Sequence, residues 1–267
     1  MNLCVNGQNK ELDCQTAFEV RKQIGNPTDI VILNGFQIDE DCPVTQNDTV
    51  NIIPKGIMPK REDLESMMMA RHTPHVHEKV KKGRVAIAGL GGLGSNIAVM
   101  LARIGVGQLL LVDFDMVEPS NLNRQSYSII HLGMPKTAAL KKQIEEINPF
   151  IKVKVQTIRV TEKNIRELFS GYDIICEAFD KPEAKSMLVN TALTQLPETK
   201  IVAASGMAGF DSSNRIKTVN PMKNLYLCGD LETGAGVGRG LMAPRVQICA
   251  GHQANMVLRL LIGMEEV

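Results

Sequence analysis

The stretch RVAIAGLGGLGSNIAV, residues 84–99, has the order of a buried strand, a glycine loop and a helix. Its first part is apolar, its last part is rich in helix-forming residues, and four glycines lie between them: Gly89, Gly91, Gly92 and Gly94. Such a loop lets backbone N–H groups and a helix N-terminus approach a phosphate, so the stretch predicts a nucleotide-binding unit. A tight turn without a ligand has the same pattern, and the stretch by itself does not separate NAD from ATP.

The next strand and loop, LLLVDFDMVEPSNLNRQ at residues 109–125, favour ATP over NAD. Asp113 stands at the predicted strand end, where a carboxylate accepts hydrogen bonds from ribose hydroxyls. Side chains suited to phosphates follow, the last of them at the start of the next helix: Asn121, Arg124, Gln125 and Lys136. Cations beside a ribose-binding carboxylate suit a triphosphate, whose charge must be neutralised as the α-phosphorus is attacked.

A third strand end, DIICEAFDKPEAK at residues 173–185, supplies Asp180 to the same edge of the predicted sheet. Mg²⁺ is usually held by one or two carboxylates together with phosphate oxygens and water, so Asp180 is the candidate magnesium ligand. The alternative interpretation is that Asp180 caps the helix that follows it. The two roles are compatible.

From Gly83 onward the chain alternates between apolar strands and helices, which favours a Rossmann-like, doubly wound and mostly parallel α/β sheet. Strands are predicted at residues 84–89, 108–115, 151–160, 173–180 and 200–206. The strict alternation of residues 151–160 favours an edge position. The glycine-rich segment GAGVGRG, residues 234–240, precedes a helix that Pro244 can start. This segment is either an ordinary crossover or a mobile loop at the mouth of the site.

The first 57 residues have a different pattern, which predicts a small α+β domain of the β-grasp type. Short strands are predicted near residues 2–7, 29–35 and 48–56, with a helix over residues 15–25 that ends at Gly25. Residues 58–82 are polar and charged, and they predict a linker followed by a leading helix. The predicted domains are therefore residues 1–57 and 83–267.

Composition limits the function classes. The 267 residues carry a net charge of +1, so the whole chain shows no basic surface for nucleic acid or membranes. No run approaches the ~18 apolar residues of a membrane span, and the N-terminus lacks the apolar core of a signal peptide. A cytoplasmic protein is therefore expected. The six cysteines form no C-x-x-C pair, so neither a structural zinc site nor a disulfide framework is expected.

The motifs GLGGLGS, VDFDMVEPSNLNRQ, GMPK and LMAPR together resemble the ThiF/MoeB family of ubiquitin-activating-like adenylyltransferases. The resemblance begins at about residue 61, runs to residue 267, and is nearest to the short ThiF variety of thiamin biosynthesis. The N-terminal segment resembles ThiS, a β-grasp sulfur carrier.

This resemblance implies a homodimer that uses ATP and Mg²⁺ to join AMP to the C-terminal carboxylate of a ThiS-type carrier ending in Gly-Gly. It implies nucleotide-binding roles for the glycines Gly89, Gly91, Gly92 and Gly94 and for Asp113, Asp115, Asn121 and Gln125. The catalytic residues that it implies are Arg124, Lys136, Asp180 and Arg71. Arg71 is the match to an arginine that the other subunit of the dimer donates.

Two departures from the family pattern bear on the reaction. No cysteine stands shortly before MAP in ETGAGVGRGLMAP, residues 232–244, and Cys228 lies at a different spacing. Cys228 is interpreted as a buried small hydrophobe, so we expect the reaction to stop at the adenylate and another protein to deliver sulfur. The ThiS-like segment has a single Gly56 and continues into the chain, so its carboxyl group is tied up in a peptide bond and it is not expected to be the substrate.

Other functions stay open at this point. The same fold and ATP site could activate a molybdopterin-type carrier or a threonylcarbamoyl carboxylate on tRNA, although a near-neutral chain argues against a tRNA surface. A non-catalytic module that binds a carrier and an NAD-dependent oxidoreductase are further alternatives. His72, His75 and His77 are interpreted as surface or site-lining residues rather than as metal ligands.

Overall fold

The computed structural model describes residues 1–58, 60–72 and 74–267. The chain divides into two compact units, Met1–Lys79 and Val80–Val267. None of the helices in these described ranges combines the length and the apolar character needed to cross a membrane.

The first unit is built around a five-stranded sheet. Its strands are β1 Asn2–Val5, β2 Gln8–Glu11, β3 Ile30–Leu33, β4 Phe36–Ile38 and β5 Thr49–Ile53, in the order β2-β1-β5-β3-β4. β1 and β5 are parallel and the other pairs are antiparallel. The helix α1, Ala17–Ile24, crosses the sheet, so the predicted β-grasp outline is confirmed.

The sequence did not predict β2 and β4. Both are joined to the preceding strand by an Asn-Gly pair with positive φ, 47° and 73° at Asn6 and Gly7, and 51° and 84° at Asn34 and Gly35. Two-residue loops of this kind reverse the chain into a hairpin. The Asn-Gly signals are visible in the sequence, but the polar residues of β2 hide its strand character.

Both faces of this sheet are covered. Val31 and Leu33 belong to the core beneath α1. Side chains alternate along a strand, so Ile32 points to the other face, yet it is only 1% exposed. The helix α2, Arg61–His72, packs on β4 and touches β3 and β5 on that face. The Nη2 of Arg71 donates to Oε1 of Gln37 at 2.9 Å, which ties α2 to β4.

The second unit is a seven-stranded sheet. Its strands are β6 Arg84–Ala88, β7 Gln108–Asp113, β8 Lys152–Thr157, β9 Ile174–Glu177, β10 Lys200–Ala204, β11 Lys217–Met222 and β12 Leu225–Gly229. The helices that follow α2 are α3 Pro74–Lys82, α4 Gly92–Arg103, α5 Lys136–Ile147, α6 Ile165–Phe169, α7 Pro182–Gln195 and α8 Ala243–Ile262. Short 3-10 turns lie at Pro119–Asn121, Ile129–His131 and Ser213–Arg215.

The strand order is β11-β12-β10-β9-β6-β7-β8, and every pair except β11 with β12 is parallel. α4 packs with α5 and α8, whereas α6 packs with α7. The doubly wound, mostly parallel sheet is therefore confirmed, and β8 lies at the edge that its alternation predicted. α8 begins at Ala243 with Pro244 in its first turn, as predicted. The antiparallel strand β11 was not predicted.

The strand order reverses at β6. From β6 the chain builds outward through β7 and β8 on one side, and then through β9, β10 and β12 on the other. In open α/β sheets, ligands bind outside the carboxyl ends of the strands at such a reversal. The loops after β6 and β9 meet at this point.

A buried ion pair lies at the carboxyl edge of the sheet directly after β12. The Nη2 of Arg245 lies 2.5 Å from Oδ2 of Asp230, and both side chains are at most 4% exposed. Nη1 of Arg245 also donates to the carbonyl oxygens of Asp211 and Ser212. Burial by itself would raise the pKa of Asp230, but hydrogen bonds from Thr233, from the N–H of Glu232 and from Arg245 hold that pKa well below its usual range.

We expect Asp230→Asn to lower the free energy of unfolding by about 3 kcal/mol at pH 7, because Arg245 then stays buried without a counter-charge. The folded-state pKa of Asp230 lies below its unfolded value, so its contribution is complete above that unfolded value and is lost as the pH falls. The difference between wild type and variant should therefore narrow below about pH 4. Denaturant unfolding at several pH values measures it.

The matched control is Glu232→Gln. Glu232 is also paired with an arginine, Arg215, but that pair is exposed, with side-chain exposures of 69% and 45%. Exposed pairs contribute less than about 1 kcal/mol. Equal losses for the two variants would contradict the role assigned to Asp230.

Candidate nucleotide-binding site

The glycine loop between β6 and α4 can be built only from glycine at two positions. A Cβ on Gly94 would lie 1.8 Å from the carbonyl oxygen of Gly89. Gly89 itself has φ of +90°, and a Cβ there would lie 2.8 Å from the carbonyl oxygen of Ala178. The first turn of α4 is thereby pressed onto the end of β6, and the loop lies against the segment that follows β9.

The N-terminus of α4 faces the open side of this loop. Gly91 occupies the N-cap position, and no side chain caps the helix there. A Cβ on Gly91 would meet open space. The free N–H groups of the first turn and the helix dipole make this a natural site for a phosphate.

Asp113, at the end of β7, holds the glycine loop in place. One carboxylate oxygen accepts from the N–H of Leu90 at 2.6 Å and the other from the N–H of Asp115 at 2.9 Å. The hydroxyl of Tyr127 donates to the carbonyl of Leu90 at 2.9 Å, and burial raises the pKa of that tyrosine. Each carboxylate oxygen of Asp113 has a second acceptor position, which suits a ribose hydroxyl.

Lys136 is buried at the start of α5 and is paired with Asp115. Its Nζ lies 2.9 Å from Oδ2 of Asp115, and its backbone N–H donates to the carbonyl of the same residue. The lysine is oriented by a carboxylate that is itself half exposed. An ammonium group has three donors, so two remain for other acceptors.

Arg124 and the start of α8 lie on either side of Gly92. A Cβ on Gly92 would lie 3.5 Å from Cγ of Arg124 and 2.9 Å from Cγ1 of Val246. The guanidinium of Arg124 donates to the carbonyl of Ser120 and to Oδ1 of Asn123. The structure thus brings the arginine to the glycine loop, and it also places α8 there, which the sequence did not indicate.

Asn121 and Gln125 are both buried, but their surroundings differ. Oδ1 of Asn121 accepts from the N–H of Glu118 at 3.0 Å, so this side chain closes its own 3-10 turn. Oε1 of Gln125 is buried without a hydrogen-bond partner in the structure. Such an atom costs free energy unless a ligand supplies a donor, such as a ribose hydroxyl. Rotation of the amide would present its NH₂ group to phosphate oxygens instead.

Asp180 is exposed in the turn between β9 and α7. The residue at the N-cap of α7 is Lys181, and no side-chain hydrogen bond caps that helix. The interpretation of Asp180 as the helix cap is therefore wrong, and its carboxylate is left at the carboxyl edge of the sheet.

A buried pair fixes the turn that carries Asp180. Glu177 is fully buried, and its carboxylate accepts from Lys185 at 3.0 and 3.1 Å and from the N–H of Phe179 at 2.7 Å. Nζ of Lys185 also donates to the carbonyl of Ala204 in β10. Burial raises the pKa of Glu177, and the charge of Lys185 opposes that rise. The pair joins β9, β10 and α7 just below the turn.

The remaining predicted residues lie elsewhere. Arg71 is on α2 in the first unit, so its role in the site of a partner subunit stays a prediction. Cys228 is fully buried in β12, and burial raises the pKa of its thiol to about 11. Such a thiol is inert, which agrees with its interpretation as a core residue.

No group of three or more His, Cys, Asp or Glu side chains suited to a metal ion is found among the residues that the structure describes. A magnesium ion that binds together with a nucleotide needs no such group, because phosphate oxygens and water complete its coordination.

Sequence reasoning missed four residues that shape the site: Tyr127, Glu177, Lys185 and Arg245. Glu177 does leave a signal, because a carboxylate inside the apolar run IICEAF must find a cation when it is buried. Arg245 leaves another, because a cation in the first turn of a helix opposes the helix dipole unless an acid neutralises it. The identities of the partners, Lys185 and Asp230, follow only from the fold.

The chain matches two models of known protein families. Residues 65–267 match the model of the ThiF family, and residues 1–56 match that of ThiS-like ubiquitin. A sulfur carrier protein adenylyltransferase of Thermus thermophilus is 32% identical over 139 residues, which cover 52% of this chain and 51% of that protein.

The adenylyltransferase and sulfurtransferase UBA4 of Saccharomyces cerevisiae is 32% identical over 197 residues, 70% of this chain and 43% of that protein. The chain thus spans about half the length of these relatives or less. Among solved structures, the tRNA N6-threonylcarbamoyladenosine dehydratase TcdA of E. coli in complex with ATP has a TM-score of 0.68 at 19% identity. The match covers 77% of this chain and 97% of that one, and it shows a shared fold.

The family match spans the whole glycine loop, the carboxylates after β7 and β9 and the start of α8. This protein belongs to the ThiF family and carries a ThiS-like ubiquitin domain at its N-terminal end.

Proposed function

We propose that the protein binds ATP and transfers AMP to the C-terminal glycine carboxylate of a ThiS-type sulfur carrier, with release of pyrophosphate. The proposal rests on the side chains found at the carboxyl edge of the sheet, where the strand order reverses. Asp113 accepts a hydrogen bond from the glycine loop and Arg124 packs on that loop. Lys136, paired with Asp115, and Asp180, in the turn after β9, follow strands that end at the same edge. An acid for ribose, two cations for a triphosphate and a carboxylate for a metal ion suit adenylyl transfer. Relatives named as adenylyltransferases support the same reaction.

In this reaction a carboxylate oxygen of the acceptor attacks the α-phosphorus of ATP. A bond forms from that oxygen to phosphorus, and the bond from phosphorus to the bridging oxygen breaks. Pyrophosphate leaves with the electron pair, and the acceptor becomes an acyl-adenylate. No proton is transferred, so the residues act through charge and position, which are the main means of catalysis in phosphoryl-type transfers.

Each residue has a role that follows from its surroundings. Asp113 binds ribose, and the start of α4 binds phosphate oxygens. Arg124 and Lys136 offset the charge that builds on the phosphates. Asp180 would supply the carboxylate for Mg²⁺, which lowers phosphate charge further.

The carrier is a separate chain in this proposal. The ThiS-like domain continues past Gly56 into exposed Ile57 and Met58, and the following helix α2 covers the second face of its sheet. The domain therefore has neither a free carboxylate at this point nor an open sheet face. A homodimer in which Arg71 reaches the site of the other subunit, a separate sulfur donor and a place in thiazole synthesis for thiamin complete the proposal; they rest on the family resemblance.

A second candidate acceptor is a threonylcarbamoyl carboxylate on tRNA. The named activity of TcdA suggests this acceptor. The likeness to TcdA extends over nearly all of that chain, but at 19% identity it concerns the fold alone. The net charge of +1 disfavours it, because RNA-binding surfaces are usually basic.

The first experiment is ATP–pyrophosphate exchange with and without a separately expressed ThiS-type carrier that ends in Gly-Gly. We expect exchange that requires the carrier and that falls about 100-fold or more in Asp180→Ala, because the metal ligand is lost. A carrier with its terminal glycine removed and a threonylcarbamoyl-modified tRNA are run in parallel. Exchange with the tRNA alone would establish the second candidate, and tight NAD binding without ATP binding would contradict both.

Lys136→Ala should lower the exchange rate by about 10²- to 10³-fold, because it removes a preorganised cation from the phosphates. The matched control is Lys141→Ala on the same helix. The side chain of Lys141 is 42% exposed and forms an i,i+4 pair with Glu145. Thermal unfolding of both variants checks that the fold is retained. An equal loss in the control would show that the rate reports the stability of α5 rather than the charge of Lys136.

A further inference from the structure

The loops after β10 and β12 lie at the carboxyl edge of the sheet, on the opposite side of β6 from β7 and Lys136. β10 and β12 run parallel to β9 and β6, so their carboxyl ends lie at the same edge as the glycine loop. The loop after β12, residues 230–242, leads directly into α8. Val246 in the first turn of α8 contacts Gly92. This acceptor-side loop, as we name residues 230–242, is thus connected to the glycine loop through α8.

The base of the acceptor-side loop is fixed and its tip has a defined turn. Asp230 is held by Arg245, and a Cβ on Gly206 would lie 2.1 Å from Oδ1 of Asp230. At the tip, Gly236 and Arg239 exchange two backbone hydrogen bonds of 3.0 Å. The two residues between them make a tight turn with a positive φ at its glycine.

Arg239 leaves this turn with its side chain laid along bare backbone. A Cβ on Gly209 would lie 2.9 Å from Cγ of Arg239. The N–H of Gly209 also donates to the carbonyl of Gly240 at 2.8 Å. The glycine therefore serves as the surface on which the arginine stem rests, and it joins the loop after β10 to the acceptor-side loop.

The other charged side chains of the two loops are paired, either with each other or with Arg245 in the first turn of α8. Asp230 pairs with Arg245, while Arg215 is shared by Asp211 and Glu232. Across residues 1–58, 60–72 and 74–267, no hydrogen bond or ion pair of the Arg239 guanidinium is found. Among the described charges of these two loops, the guanidinium of Arg239 is therefore available to bind an anionic ligand.

The surface around Arg239 also has room for an extended chain. Glycine occupies every second position of the tip, at Gly234, Gly236, Gly238 and Gly240, and a Cβ on any of them would meet open space. Val237 at the turn is fully exposed. At these glycines a peptide can approach the backbone closely, because no side chain stands at those four positions.

We propose that Arg239 binds the carboxylate of the acceptor and holds it for attack on the α-phosphorus, an assignment that rests on the proposed function. A guanidinium offers two parallel N–H donors that match a carboxylate. The acceptor and the triphosphate are both anions, so a cation at the acceptor lowers their repulsion as they approach. Arg239 stays protonated throughout and transfers no proton.

The test is a binding cycle with a ThiS-type carrier made in two forms, one with its free terminal carboxylate and one with a terminal carboxamide. Dissociation constants are measured by fluorescence anisotropy in the presence of α,β-methylene ATP, for wild type, Arg239→Ala and Arg239→Lys. The control is Arg166→Ala, an exposed arginine on α6. We expect the carboxamide to weaken binding to wild type and to the control by about 10- to 100-fold, and to have little effect on Arg239→Ala. Arg239→Lys should be intermediate.

An equal carboxamide effect in wild type and Arg239→Ala would overturn the assignment. Exchange activity provides the second readout: Arg239→Ala should lower it about 100-fold while ATP binding alone stays unchanged. A wild type that shows the carboxylate cycle without pyrophosphate exchange would refute adenylyl transfer and leave the assignment of Arg239 standing. Carrier-dependent exchange that Arg239→Ala leaves intact would support adenylyl transfer and refute the assignment of Arg239. A wild type that binds neither carrier form would refute both.

Discussion

The carbonyl of Gly89 packs against the α-carbon of Gly94, and the rest of the candidate site is arranged around that contact. A Cβ would lie 1.8 Å from the oxygen, so no other residue fits at position 94. The contact brings the N-terminus of α4 to the end of β6, where its free N–H groups can receive a phosphate. Asp113 then fixes the loop from the neighbouring strand through the N–H of Leu90.

Buried ion pairs place the two loops that carry exposed charges. Glu177 and Lys185 hold the turn that presents Asp180, and Asp230 and Arg245 hold the base of the loop that presents Arg239. Buried pairs contribute little net stability compared with apolar packing, but losing one partner is costly because the other stays charged. This cost fixes the loop bases on which the exposed side chains of Asp180 and Arg239 stand.

The N-terminal domain matches the ThiS-like ubiquitin model over residues 1–56, and the helix that follows it packs on its sheet. Its chain passes through Gly56 into α2, and α2 shields the face of the sheet that α1 leaves open. Ile32 shows the consequence, because it is buried although it points away from the main core of the domain. A shared fold does not imply a shared function, so the likeness to ThiS does not by itself make this domain a carrier.

The sequence by itself determined the parallel sheet, the glycine loop, the edge position of β8 and the start of α8, because these depend on periodicity and on local backbone preferences. The strands β2 and β4 were not predicted, although each follows an Asn-Gly pair that is visible in the sequence. The tertiary structure alone decided which residues meet: Lys136 with Asp115, Val246 with Gly92, Lys185 with Glu177 and Arg239 with Gly209. These partners lie 8 to 154 positions apart, and their contacts depend on the order in which the strands pair. Local sequence encodes each element, whereas the contacts that place charge around the site form only when the strands have paired in their final order.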